Sequence, residues 1–144
     1  VNAAYIAEQR GLKVTVTTDP VHYDYTSMVS LVARAGAQTV EVGVTTSGLD
    51  GVNRIVSILG YRLDLIPGKY VLVLKYEDKP GKLGKIGTVL GNANINISSM
   101  EIGLIPDNQG EAVVLMNVDD PVPEAVFDEL KQVVGVTDGW SIEL

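Results

Sequence analysis

The sequence predicts an α+β chain in two parts: a mostly antiparallel meander with a short helix, then a ferredoxin-like βαββαβ half. Three observations carry this. Apolar residues recur at every second position through 29–35 and 40–44, the period of half-buried strands. After Pro67-Gly68, strand-like runs alternate with two stretches of helical spacing. That dipeptide is the strongest turn signal mid-chain, and it divides the 144 residues into 1–67 and 68–144.

In the first part, Asn2 precedes the helix formers of 3–10 and Gly11 follows them, which predicts a short helix capped by Asn2 and ended by Gly11. Val14 and Val16 then alternate with threonines and predict a strand. Val29, Leu31, Ala33 and Ala35 share one strand face, and Val40, Val42 and Val44 share the next, with Gly36-Ala37-Gln38 as the hairpin connection. Residues 54–58 and 62–66 predict two more strands broken at Gly60. The exposed edge of such a meander needs a cover or a partner.

In the second part, 71–76 is a near-continuous apolar run in which Val71, Val73 and Lys75 alternate with Leu72, Leu74 and Tyr76. Glu77-Asp78-Lys79-Pro80-Gly81 ends it, and Leu83, Ile86, Leu90 and Ala93 follow at helical spacing with Lys82, Lys85 and Asn92 on the other side. Residues 95–102 form a second strand with Asn96 at its start, 106–110 a hairpin loop and 112–118 a third strand. Asp120-Pro121, or Pro123, opens a helix carrying Val122, Val126, Leu130 and Val133 that Gly135 ends, and Trp140, Ile142 and Leu144 alternate in a last strand. An unpaired edge, such as 112–118 or 71–76, predicts self-association through this half.

Composition narrows the function classes. A net charge of −7 argues against nucleic-acid and anionic-membrane partners, and no apolar run reaches bilayer length. No cysteine is present, in keeping with a cytoplasmic setting, and the chain starts at Val1 without initiator Met or signal peptide, as an internal piece of a longer protein would. Ferredoxin-like RNA binders stack bases on aromatics, yet 111–117 has none. Copper carriers need paired cysteines, and phosphate-hydrolysing relatives an Arg-bearing cradle at the first turn. The lone histidine, His22, reads as a loop surface residue, and the Glu77/Asp78 and Asp119/Asp120 pairs sit at element boundaries, where carboxylates cap or solvate. With no G-x-G-x-x-G, P-loop or G-x-S-x-G, no catalytic residues, metal or cofactor are expected within these residues.

The first strand–helix turn of the second part is the candidate site. Pro80-Gly81 lets the backbone pass tightly into a helix whose first N–H groups favour an anion such as a carboxylate. Tyr76 offers a hydroxyl, Asp78 a negative charge, and Asn96 a carbonyl on the chain's return. A zwitterion would be satisfied there, its ammonium by Asp78 and Asn96; the plainer alternative has Asp78 capping the helix and Asn96 serving a turn.

The string 76–87, Tyr-Glu-Asp-Lys-Pro-Gly-Lys-Leu-Gly-Lys-Ile-Gly, followed by Asn94-Ile95-Asn96-Ile97, resembles the ACT domain that ends D-3-phosphoglycerate dehydrogenases. Upstream, 51–56 and 60–65 resemble the intervening, allosteric substrate-binding domain of the long bacterial form. The resemblance implies L-serine binding at the interface of paired ACT domains, with feedback inhibition, at Tyr76, Asp78, Pro80, Gly81, Leu83 and Asn96; some members carry His and Asn where this chain has Tyr76 and Asp78. It implies phosphate or a phosphorylated substrate at Arg54, with Arg62 and Lys69 nearby. NAD and the catalytic residues would belong to the remainder of such an enzyme. The regulatory part of another amino-acid enzyme, such as an L-serine dehydratase, and an oligomerisation module with a vestigial pocket are the other readings.

Overall fold

The computed structural model describes residues 2–18, 25, 27–47, 51–104 and 110–144. His22 and most of the loop at 106–110 lie outside the described residues. The chain forms α1 (Ala3–Gln9), β1 (Met28–Ala35), β2 (Gln38–Ser47), β3 (Val52–Ile58), β4 (Tyr61–Leu65), β5 (Tyr70–Glu77), α2 (Lys82–Asn92), β6 (Ile97–Leu104), β7 (Glu111–Val118), α3 (Glu124–Leu130), a π turn (Lys131–Gly135) and β8 (Val136–Glu143).

α1 departs from expectation at its start and agrees at its end. Asn2 makes no side-chain cap. The C-terminus closes with Gly11 N–H to the Glu8 carbonyl (2.9 Å) and Leu12 N–H to Ala7 (2.8 Å), the paired bonds of a Schellman motif. The strand expected at Val14 and Val16 does not form: 12–18 has no regular structure and both valines are exposed. Alternation alone cannot make a strand, because the backbone also needs a ladder partner.

The first sheet is the expected meander, in order β1-β2-β3-β4. Its hairpins are tight: Gly36-Ala37 joins Ala35 to its partner Gln38, and Leu59-Gly60 joins Ile58 to Tyr61. Leu59 and Gly60 both have positive φ (53° and 81°), as a type I′ hairpin turn requires. A leucine is strained there, and its side chain packs on the core, which offsets the cost.

The second sheet has order β6-β7-β5-β8, entirely antiparallel, with both helices on one face: the expected ferredoxin-like arrangement. β5 and β7 are therefore the central strands and β6 and β8 the edges, which corrects the expectation that 71–76 or 112–118 could be an unpaired edge. The reason is sequence-visible in retrospect. β5 and β7 are apolar on both faces, as only doubly covered strands are.

Two cores follow from that double covering. Leu72, Leu74, Tyr76, Val114 and Met116 face α2 and α3 through Ile86, Leu90, Leu130 and Val134. On the other face, Val71, Val73, Val113 and Leu115 pack against Ile58, Tyr61, Leu63 and Leu65 of the first sheet. The meander thus covers a sheet face that would otherwise be bare. β4 lies so close over β6 that a Cβ on Gly103 would come within 2.8 Å of Tyr61 Cβ. Asn117 fastens the connection: it accepts from Gly68 N–H (2.7 Å) and donates to the Ile66 carbonyl (2.8 Å) and Ser99 Oγ (2.7 Å). In the last helix Leu130 is buried as expected, but Val134 is buried in place of Val133, and α3 begins after Pro123, leaving Val122 ahead of it.

Candidate functional site at the end of β5

β5 delivers Tyr76 and Asp78 to one end of the second sheet, and the chain turns there into α2. Gly81 is the N-cap residue in a left-handed conformation (φ 85°), which favours glycine, and no side chain caps the helix. Asp78 therefore does not serve as the cap; its N–H donates to the Gly110 carbonyl (2.8 Å), and the residue lines a cavity at this end of the sheet. That cavity, about 380 Å³, is lined by Tyr76, Asp78, Lys79, Pro80, Gly81, Lys82 and Leu83. Tyr76 is almost wholly buried, and desolvation, helped by the Asp78 charge, raises its phenol pKa. The hydroxyl thus stays protonated and able to donate. Lys79 is drawn to Glu77 (2.8 Å) and Lys82 donates to the Val134 carbonyl, so both ammonium groups are engaged by protein partners.

Five of the six expected effector residues, Tyr76, Asp78, Pro80, Gly81 and Leu83, are thus gathered around one cavity. Asn96 is not among them. α2 runs back the length of β5 and ends where Asn94 takes a left-handed conformation (φ 55°), so Asn96 emerges at the opposite end of the sheet. There its side chain donates to Asp119 (3.0 Å) and its carbonyl accepts from Asp119 N–H (3.1 Å). Tyr70 and Ile97 both register with Val118, whereas Glu77 registers with Glu111. With β5 eight residues long, Asn96 and Asp78 of one chain lie roughly 25 Å apart.

The three cations expected near one another, Arg54, Arg62 and Lys69, are dispersed. Arg54 lies toward the far end of β3, with Nε 3.1 Å from Asp64. Lys69 is held by Tyr70 Oη (2.7 Å) and Glu143 (3.4 Å). Arg62 alone sits beside the turn, in a cavity of about 440 Å³ with Tyr25, Met28, Glu41, Val56, Ser57 and Gly60.

A further polar cleft, of about 320 Å³, lies between the two sheets and is lined by Thr39, Glu41, Leu59, Gly60, Lys75 and Asp138. The hydrogen bond from Lys75 to Glu111 (3.0 Å) raises the lysine pKa against the opposing effect of burial. The sequence carried a signal for this cleft: Lys75 is a charge in the otherwise apolar Val71, Val73 row. Among the described residues no group of three or more His, Cys, Asp or Glu side chains could hold a metal ion, and no helix is long and apolar enough to cross a membrane.

Residues 70–135 match the model of the ACT domain. Along its whole length the chain is similar to D-3-phosphoglycerate dehydrogenases. It is 34% identical to that of Synechocystis sp., of which it spans 26%, and 29% identical to that of Methanocaldococcus jannaschii, of which it spans 27%. Over 85% of the chain it is 36% identical to the Mycobacterium leprae enzyme, covering 23% of it. The chain thus spans about a quarter of the length of these relatives. Among solved structures, it is similar to a protein titled "GqqA- a novel type of quorum quenching acylases", over 52% of this chain and 28% of that one, with a TM-score of 0.42 and 20% identity. The cavity at the end of β5 accordingly lies within the residues that match the ACT domain, in a chain similar along its whole length to about a quarter of the length of D-3-phosphoglycerate dehydrogenases.

Proposed function

We propose that this chain is the regulatory, amino-acid-sensing part of a D-3-phosphoglycerate dehydrogenase, and that it binds L-serine at the end of β5 for feedback inhibition. The observation that carries this is the uncapped start of α2, opening into the same cavity as Tyr76 and Asp78. A free α-amino acid needs donors for its carboxylate and an anion for its ammonium. The first N–H groups of α2 supply the donors, at the end of the helix dipole that favours negative charge. Asp78 supplies the anion, and the protonated Tyr76 hydroxyl a further donor. Asn96 enters this reading from a second copy. If two ACT domains pair two-fold along their β6 edges, antiparallel, the Asn96 end of one β6 lies beside the Leu104 end of the other, and the ligand lies between copies. In this reading NAD and the catalytic residues belong to other parts of the enzyme.

Calorimetry on the 144-residue chain tests the site. L-Serine should bind, and D-serine far more weakly, because its ammonium and carboxylate cannot both meet their partners. Asp78→Ala removes a charge-assisted contact of about 1.5–3 kcal/mol and should weaken affinity about ten- to a hundredfold. Lys82 ties α2 to the π turn and is unsuitable as a neutral comparison. Glu8→Ala, which removes an exposed carboxylate of α1 in the first part of the chain, should leave affinity unchanged. Intact affinity in Asp78→Ala would sink the site assignment, and no binding of any amino acid by the parent would sink the sensor.

A further inference from the structure

Three lysines surround the start of α2, and they are not alike. Lys79, just ahead of the helix, is exposed and pairs with Glu77 (2.8 Å). Lys85 is exposed and donates to the Val133 carbonyl (3.3 Å). Lys82, the first residue of the helix, is half-buried, donates to the Val134 carbonyl and has no carboxylate partner among the described residues. A charge withdrawn from water is ordinarily paired with its opposite, and in a chain of net charge −7 anions are not scarce. Lys82 instead lines the cavity at the end of β5. Its ammonium has three N–H donors, of which Val134 takes one.

The surroundings of that ammonium are fixed. Gly135 turns the chain out of the π turn with a φ of 74°, and a Cβ there would stand 3.5 Å from Lys82 Nζ. The next residue, Val136, registers with Tyr76. Lys82 Nζ thus lies against the turn that leads into the strand beside Tyr76. Tyr76 is 2% exposed, lines the same cavity, and its hydroxyl makes no hydrogen bond among the described residues. At the helix start the Lys82 N–H bonds to the Lys79 carbonyl (3.3 Å), and among the described residues the N–H of Leu83, also in the lining, is left without a partner.

We propose that Lys82 is a binding residue of this site, donating to the carboxylate of the bound amino acid while it keeps its hydrogen bond to Val134. The proposal rests on the regulatory reading above and adds the group that selects a free carboxylate. Charges then close in two pairs, the ligand ammonium with Asp78 and the ligand carboxylate with Lys82. Backbone N–H groups donate to a carboxylate and to a neutral carboxamide oxygen alike, whereas the lysine charge favours the carboxylate. Lys82 therefore sets how strongly the site prefers a free amino acid to its amide.

Calorimetry on the 144-residue chain with L-serine and L-serinamide separates this contact from the tie to the π turn. Lys82→Met should weaken L-serine binding about tenfold, the loss of one charge-assisted contact at a half-buried site, and change L-serinamide binding little. Lys82→Gln, which keeps a donor for Val134 without the charge, should behave as Lys82→Met does. Lys85→Met removes the neighbouring tie to the same turn but no residue of the cavity, and should bind both ligands as the parent does. Thermal melting without ligand checks that each variant is folded. If both Lys82 variants bind L-serine as tightly as the parent, as they would were Lys82 to meet a carboxylate elsewhere in the protein, the proposal is overturned and the regulatory reading stands. If they weaken L-serine and L-serinamide equally, Lys82 only braces the turn, and the proposal is again overturned. A parent that binds no amino acid removes the regulatory reading and this contact together.

Discussion

Replacing Asn117 by alanine tests whether the two sheets fold as one unit. Asn117 is 9% exposed and its amide makes three contacts, to Gly68 N–H, the Ile66 carbonyl and Ser99 Oγ. Gly68 and Ile66 flank the turn between the sheets, so one side chain on β7 holds both sides of the connection. Alanine leaves a backbone donor and a backbone acceptor without these partners, each costing about 1–2 kcal/mol where water cannot replace them. Ile66 and Gly68 are partly solvent-accessible, which lowers the sum to about 2–3 kcal/mol. In a chain of this size that is a fall in melting temperature of about 4–10 °C. Urea unfolding of the parent should show one transition by both tryptophan fluorescence and circular dichroism, since Trp140 packs on the shared core. Asn117→Ala should shift the midpoint with little change in slope. Asn117→Asp separates hydrogen bonding from shape: it is isosteric but sets a carboxylate oxygen against the Ile66 carbonyl. Burial would raise the pKa of that new carboxyl, so its stability should be greatest at acid pH and fall as pH rises through the folded value. Asn53→Ala, which loses an exposed bond to Thr46 (3.1 Å), should cost under about 0.5 kcal/mol. A change under about 0.5 kcal/mol in Asn117→Ala, or two separate transitions in the parent, would refute the reasoning.

Two further outcomes follow from single residues. Tyr76 and Lys75 both have raised pKa values, and a group raised on folding contributes stability that is complete below its unfolded pKa and lost as pH climbs through the folded one. Stability should therefore fall above about pH 10, and Tyr76→Phe, measured by urea midpoints from pH 8 to 11, should flatten that fall. Gly103→Val sets a branched side chain where even a Cβ lies 2.8 Å from Tyr61 Cβ and 3.0 Å from the Arg62 carbonyl oxygen. It should cost about 1–3 kcal/mol by prising β4 from β6, and a thermal shift of under 1 °C would contradict the close approach.

What the sequence made legible were features governed by near neighbours. Period-two valines marked β1 and β2, and the Pro80-Gly81 turn with its helical spacing marked the β5–α2 unit that forms the candidate site. What it hid depended on distant partners. Val14 and Val16 alternate as well as many strand residues do, and only the missing ladder partner distinguishes them. Asn96 follows α2 closely in sequence, yet an antiparallel return places it at the far end of the sheet from Asp78; counting rise per residue along β5 and α2 would have shown this. Arg54, Arg62 and Lys69 are close in sequence to the Gly60 turn, but strand pairing carries Arg54 to the far end of β3, beside Asp64, and Lys69 past the end of β4, beside Glu143. The second core was visible only as an anomaly. β5 and β7 are apolar on both faces, and one layer of helices covers one face.

That double covering bears on how a ligand at the end of β5 could be felt elsewhere. β5 is paired along its length to β7 and β8, with Leu72 and Leu74 against the helices and Val71 and Val73 against the first sheet. Bending such a strand would open both cores at once, at about 25 cal/mol for every square ångström of apolar surface exposed. The elements free to respond are those with one side uncommitted: the turn from Asp78 to Gly81, the exposed Leu83, and the edge β6. In the regulatory reading proposed above, all three face the second copy that would contribute Asn96. A ligand bridging Asp78 of one copy and Asn96 of the other gains its contacts only in the paired state. It therefore stabilises pairing by its differential affinity for paired and unpaired chains, and the sheet itself need not deform.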